Sequence, residues 1–317
     1  MKKATRLGVR TRLGVVAVAL AAIAACGGGG GGGGPDLIDL TAANRDTVAH
    51  AAAAGMLPLS FLDSIPVFAG PGGVATLRNV AQLARERPMA LIPYPPQPCA
   101  VAGRVLLTLD DLNSNSQIDL GEPLTIVFEA CQDGAYDVFN GTAVMTVTGG
   151  SNTTASFTFA MTQLSQQAVN GRHGLTLDGT LNVEAAELSS NAFRWTMTAA
   201  TQVRAGVHTH LFDDSLELLA GFVEEEIADG ATGHVTSNMR GTINSTAAGG
   251  AFSVATDTAI GRLYADPYPH EGRLRVSGDR GTMLIAPQSA TQVRIDLDSN
   301  DDGTFESSEI EDWDWVL

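Results

Sequence analysis

TASFTFAMT, residues 154–162, decides the fold class. Ala155, Phe157, Phe159 and Met161 alternate with Thr154, Ser156, Thr158, Ala160 and Thr162. Successive side chains of a strand point to opposite faces, so a period of two buries the first set and wets the second. Residues 175–184 repeat the pattern, with Leu175, Leu177, Leu181 and Val183 against Thr176, Asp178, Thr180 and Glu184. Residues 193–204 do the same with Phe193, Trp195, Met197 and Val203 against Arg194, Thr196, Thr198 and Arg204. One buried and one solvated face is the mark of an antiparallel sheet. Turn signals at Gly149-Gly150-Ser151-Asn152, Asn170-Gly171 and Asp229-Gly230 separate the runs. The expectation is a mainly β fold of about ten to twelve strands, an antiparallel meander forming a curved sheet, barrel or sandwich.

Two stretches within this region are less plain. SLELLAGFVEEEI, residues 215–227, has helix-favouring leucines and glutamates, but Gly221 and the neighbouring strands favour a hairpin. A short phrase recurs as NGTAVMTV from Asn140, DGTLNVEA from Asp178 and RGTINSTA from Arg240. Its spacing is too irregular for a solenoid or propeller, so it reads as the grammar of threonine-rich strands.

Upstream, residues 35–98 form a small helical N-terminal region. Thr41 is placed to cap an alanine-rich helix over residues 42–54, ended by Gly55 and Pro58. A second helix fits residues 75–86, with Val74, Leu77, Val80 and Leu83 on one face. IPYPPQP, residues 92–98, reads as an extended hinge into a β domain at 99–317.

At the N-terminus the basic leader MKKATRLGVRTR precedes an apolar run from Leu13 to Ala25 and then Ile23-Ala24-Ala25-Cys26 closes it. Such a run is too short to span a bilayer, which needs about 20 residues. This layout resembles a secretory signal ending in the lipobox of bacterial lipoproteins. The resemblance implies a signal peptide at 1–25, acylation of Cys26 and a membrane partner through that lipid anchor. Gly27–Gly34 then read as a flexible tether at 26–34. Gly27, where many inner-membrane lipoproteins carry aspartate, points by resemblance to the outer membrane.

Five of the 19 basic residues precede Cys26, which leaves 14 arginines against 35 carboxylates and a net charge near −21. So acidic a surface repels nucleic acid and attracts divalent cations, and nucleic-acid binding is set aside. Only Cys99 and Cys131 remain besides Cys26, and an even pair in an oxidising compartment reads as a disulfide. A hairpin pairing Asp110 with Pro123 leaves the two cysteines about three residues out of register, which a bulge absorbs.

The sharpest chemical signal is DSNDDGTFESSE, residues 298–309. Asp298, Asn300 and Asp302 set oxygen ligands at alternate positions, Gly303 allows the sharp turn, and Thr304 offers its carbonyl. Glu306 and Glu309 complete an all-oxygen cage of the kind calcium takes. The spacing resembles the EF-hand loop at every ligand position. It departs in its surroundings, since Val293, Ile295 and Leu297 alternate as a strand, and in Phe305 at a position that is usually aliphatic. The bland alternative is an acidic solvated turn. A weaker copy spans 111–122, with Asp111, Asn113, Asn115, Asp119 and Glu122 as ligands and Ser116 in place of the glycine. Both loops are flanked by strands, one near each end of the sheet.

His208 and His210 share a strand face near Asp213 and Asp214, but zinc wants three or four ligands, and a solvated pair is the plainer reading. Trp313 and Trp315 share a face of the last strand, as an aromatic platform or as the strand that seals the core. There is no G-x-S-x-G elbow, no H-E-x-x-H and no phosphate-binding glycine loop. The plan resembles outer-membrane lipoproteins of Gram-negative bacteria that end in an acidic calcium-type loop and a Trp-containing strand. The leading expectation is a non-enzymatic envelope protein, structural or ligand-binding, with calcium-stabilised hairpins and an envelope lipid, glycan or protein as partner. A hydrolase of an envelope polymer and a lipid-binding half-barrel stand as alternatives.

Overall fold

The computed structural model describes residues 35–56, 92–93, 96–112, 119–132, 137–151, 153–168, 174–189, 191–208, 213–263, 266 and 268–313. The leader with Cys26 and its tether, the second helix at 75–86, Asn113, Asn115, His210 and Trp315 lie outside them.

Among the described residues one helix, α1 (Arg45–Ala54), precedes strands β1 (Ile92–Pro93), β2 (Gln97–Pro98), β3 (Ala102–Leu109), β4 (Pro123–Gln132), β5 (Asp137–Gly150), β6 (Thr154–Ala168) and β7 (Gly174–Ser189). There follow β8 (Ala192–Ala199), β9 (Val203–His208), β10 (Asp213–Leu218), β11 (Val223–Asp229), β12 (His234–Ser245) and β13 (Gly250–Leu263). The chain closes with β14 (Glu271–Ser277), β15 (Thr282–Ser289), β16 (Gln292–Asp298) and β17 (Ser307–Asp312). The 17 strands of the described residues belong to one sheet, and the ladders between them are antiparallel. The alternation in the sequence is the alternation of burial. In β6, Phe157, Phe159 and Met161 are buried while Thr158 and Ala160 between them are partly exposed. The buried side chains from β3 to β16 and Trp313 fall in one contiguous cluster, so the sheet curves around its apolar face. Among the described residues no paired register joins β17 to the first strands.

The strand total exceeds the sequence expectation in part because β1 and β2 are two-residue pieces and two longer strands are broken. β8 and β9 pair with successive parts of β7, and β10 and β11 with successive parts of β12. Each couple is one long strand with a break in it. Residues 215–227 are therefore extended, as the neighbouring strands suggested, but they make no hairpin. At Gly221, φ +87° kinks the chain without reversing it.

These breaks belong to a crease that runs across the sheet. Gly141, Gly179 and Gly241, the glycines of the recurring phrase, all have positive φ. A Cβ on Gly141 would stand 2.1 Å from the Gln163 carbonyl oxygen, and one on Gly241 would stand 2.7 Å from Phe222 Cα. Opposite them lie bulges with residues in the left-handed region, Ala130 and Gln163. Asn140 Oδ1 accepts the Ala130 amide at 2.9 Å, and Asp178 Oδ1 accepts that of Gln163 at 2.7 Å. The phrase is thus a bending device: in two of its three copies an Asn or Asp holds the bulge of one neighbouring strand, and the glycine after it makes room for backbone on the other side. Generic strand grammar was too weak a reading.

Helix α1 starts later than expected. Asn44, not Thr41, precedes it, and Thr41 donates its own amide and hydroxyl to Asn44 Oδ1 at 2.8 and 3.1 Å. Val48, Ala49 and Ala51 through Ala53 are fully buried, because alanines all round let a helix lie against the sheet on several sides. Pro35–Leu317 form one compact unit that includes this helix. No helix among the described residues is long and apolar enough to cross a membrane.

Candidate functional site: the acidic loops at the two ends of the sheet

The connection between β16 and β17 is wound by its own side chains. Asp298, 5% exposed, accepts the amides of Asn300 at 3.3 Å and Gly303 at 2.9 Å. Asn300 Oδ1 accepts the Asp302 amide and Asp302 Oδ1 accepts that of Thr304, both at 2.8 Å. Glu306 reaches back to the Ser299 amide at 2.8 Å. These successive turns bring carboxylate oxygens of Asp298, Asp302 and Glu306 within 4.8 Å of one another. Asp301 points the other way. Its carboxylate takes the Gly281 amide at 2.9 Å and ties the loop to β15, which explains its positive φ of 59°.

Glu309, the twelfth position, is held elsewhere. Arg45 at the start of α1 forms ion pairs with both Glu309 and Asp46 and donates to Ser307 Oγ at 3.4 Å. The hydrogen bond from Arg45 holds the Glu309 carboxyl below the ordinary glutamate range, and the same bond raises the Arg45 pKa. Thr304 and Glu306 are exposed. The loop's charge is also relieved from outside, since Arg294 pairs with the buried Asp296 at 2.9 Å.

In the first loop the acid at position 12 turns inward. Glu122, 2% exposed, accepts the Leu112 amide with one oxygen and the Asp119 amide with the other, both at 3.0 Å. Asp111 is buried beside it at 1% exposure. The loop therefore has its first and last carboxylates in place at the neck. Below it, Cys99 and Cys131 are joined in a disulfide with a Cα–Cα distance of 5.5 Å. The β3–β4 register pairs Leu109 with Leu124, and Cys99 comes beside Cys131 not through a register shift but because the chain turns back between β2 and β3, where the Cys99 amide donates to the Gly103 carbonyl at 3.2 Å.

Two further polar groups stand away from these loops. A cleft of about 540 Å³ is lined by Ser165, Gln167, His208, Asp213, Asp214 and Thr246 among others. His208 Nδ1 bonds Asp213 directly across the β9–β10 hairpin. Asp214 accepts Ser245 Oγ at 2.5 Å and Thr246 Oγ1 at 2.6 Å, so the Ser245 hydroxyl hydrogen is given to a carboxylate. The second group was missed in the sequence. Glu224 and Glu226 are 1% and 5% exposed and share the apolar face with Leu216, Leu218 and Phe222. Parity counted from Leu216 through the kink would have found them. Ser237 donates to Glu224 at 3.2 Å. Trp313, 1% exposed, seals the core and is no surface platform.

No protein-family model, no curated protein and no solved structure matches the chain.

Proposed function

We propose that the chain is a lipid-anchored protein of the bacterial outer membrane, non-enzymatic, whose strand-loop-strand ends are made rigid by calcium. The convergence of Asp298, Asp302 and Glu306 carries the reading. These are the first, fifth and ninth positions of the calcium-type loop, and with Asn300 and the Thr304 carbonyl they supply oxygen donors only. That donor set fits a hard cation and suits neither zinc nor copper. Arg45 competes for Glu309, which weakens binding toward about 0.1–1 mM, the range of extracellular modules.

Calcium bound to the folded form alone raises the melting temperature. At about 5 mM calcium against excess chelator, that affinity gives roughly 1–2 kcal/mol, a few degrees. Calorimetry on wild type and Asp298→Asn checks this. Equal melting temperatures for wild type in calcium and in chelator leave only an acidic turn.

The anchor rests on the leader and Cys26. Two or more acyl chains give stable membrane binding where one does not. Intact-mass spectrometry should find the mature chain starting at an acylated Cys26, and Cys26→Ser should leave the membrane fraction. A Cys26→Ser chain that still sediments with membranes removes the lipid anchor from the proposal. The cleft holding His208, Asp213 and Asp214 favours a second reading, a hydrolase of an envelope polymer. Turnover of peptidoglycan or glycan fragments by wild type, lost in His208→Ala, would establish it.

A further inference from the structure

We infer that His234, His270 and Glu271 form a zinc site on the solvent face of the sheet, separate from the calcium-type loops. Their ligand atoms lie within 4.8 Å of one another, although 36 residues separate the first two in sequence. His234 Nε2 stands 3.0 Å from Glu271 Oε1, and the two imidazole centroids are 6.1 Å apart. Ligands of a tetrahedral zinc, at about 2.0–2.1 Å from the metal, sit roughly 3.3 Å from each other. The cluster is therefore close to the required spacing before any metal enters. Two nitrogens and one carboxylate select zinc over calcium or magnesium, and three protein ligands leave the fourth position to water.

Three features hold the group in place. Asp266 Oδ2 lies 2.9 Å from His270 Nδ1. A carboxylate only accepts, so Nδ1 carries the hydrogen and Nε2 keeps the lone pair, the arrangement in which an outer carboxylate orients a ligating histidine. The His270 backbone is fixed as well. Its amide donates to the Gly261 carbonyl at 2.9 Å, and the adjacent Pro269 carbonyl accepts Trp313 Nε1 at 2.9 Å.

The third feature is a glycine. His234 opens β12 and Glu271 opens β14, with β13 between them. Two strand spacings, about 9–10 Å, would keep such side chains apart. Glu271 reaches His234 because it crosses over Gly261, where a Cβ would come within 2.4 Å of Oε1 and 2.7 Å of Cγ. Gly261 needs no unusual backbone angle, so its bare surface serves the crossing side chain and not the turn of the chain.

Zinc chloride titrated by calorimetry into the full chain, with millimolar calcium present to occupy the acidic loops, tests the inference. One zinc per chain is expected at micromolar affinity. His234→Ala and His270→Ala should each weaken it at least tenfold, and Asp266→Asn by about tenfold. Gly261→Ala should weaken zinc equally while removing no ligand, and His208→Ala should change nothing. Circular dichroism melts of the same variants separate lost binding from lost folding. Wild type that takes up no zinc at about 100 μM overturns the inference, as does a His234→Ala/His270→Ala chain that binds like wild type. A calcium effect in the melting experiments is unaffected by either result, since the two sites share no residue.

Discussion

Trp313→Ala is expected to cost about 3–5 kcal/mol, the range for deleting a large buried aromatic side chain. Trp313 is 1% exposed, stacks on Tyr268 with centroids 6.0 Å apart, and donates Nε1 to Pro269 at 2.9 Å and Ser289 at 3.2 Å. Removing the indole leaves a cavity in the cluster and two carbonyls without that donor. Because its amide also bonds Thr291 at 3.0 Å, the end of the last strand should loosen with it. Denaturant unfolding checks the loss as a lower midpoint at unchanged slope. Ile310→Ala, at a position 58% exposed on β17 just before it, should stay within about 0.5 kcal/mol of wild type. Equal effects of the two substitutions would mean that Trp313 does not seal the core.

The second large effect is expected from the Cys99–Cys131 bridge. It closes a loop of sequence separation 32, which the chain-entropy model values at about 3–4 kcal/mol. Cys131 is fully buried against the cluster, so Cys99→Ala/Cys131→Ala should also lose some packing. The comparison to make is reduced against oxidised wild type, because reduction deletes no atoms of the core. A midpoint that does not move on reduction would show that β3 and β4 keep their ends together without the bridge. Loosening there should spread to the first loop, whose neck stands at the opposite end of the same two strands.

What the sequence disclosed and what it hid divide along one line, local against non-local. Phe157, Phe159 and Met161 announced their strand because strand periodicity is written in consecutive residues. The β3–β4 register was legible because the spacing of the loop ligands positions both flanks, and Leu109 does face Leu124. The place of the acidic loop between two strands was legible for the same reason. The role of Gly141 was not, although the phrase containing it was visible. Its meaning lies in Gln163 on the next strand, and no period within β5 reveals that contact. The partner of Glu309 was hidden more deeply, since Arg45 stands 264 residues earlier. His234, His270 and Glu271 met only once the order of β12, β13 and β14 was known, and a histidine far from its co-ligands looks solitary in sequence.

Helix α1 has a consequence for the order of events during synthesis. Its lead-in bonds Ala251 and Arg280, its first residue pairs with Glu309, and Gly55 after its last turn lies against Ile243. Every one of these partners is translated long after the helix itself. Ten residues are too few to hold a helix alone in water, so the alanine segment has nothing to stabilise it on the nascent chain. Contacts of such long range also slow folding, because distant segments must be closed together before any burial rewards them. A ribosome-bound chain that still lacks β12 and β17 therefore cannot dock its own beginning. A C-terminal truncation should accordingly be felt first at residues 45–54, the far end of the sequence from the cut.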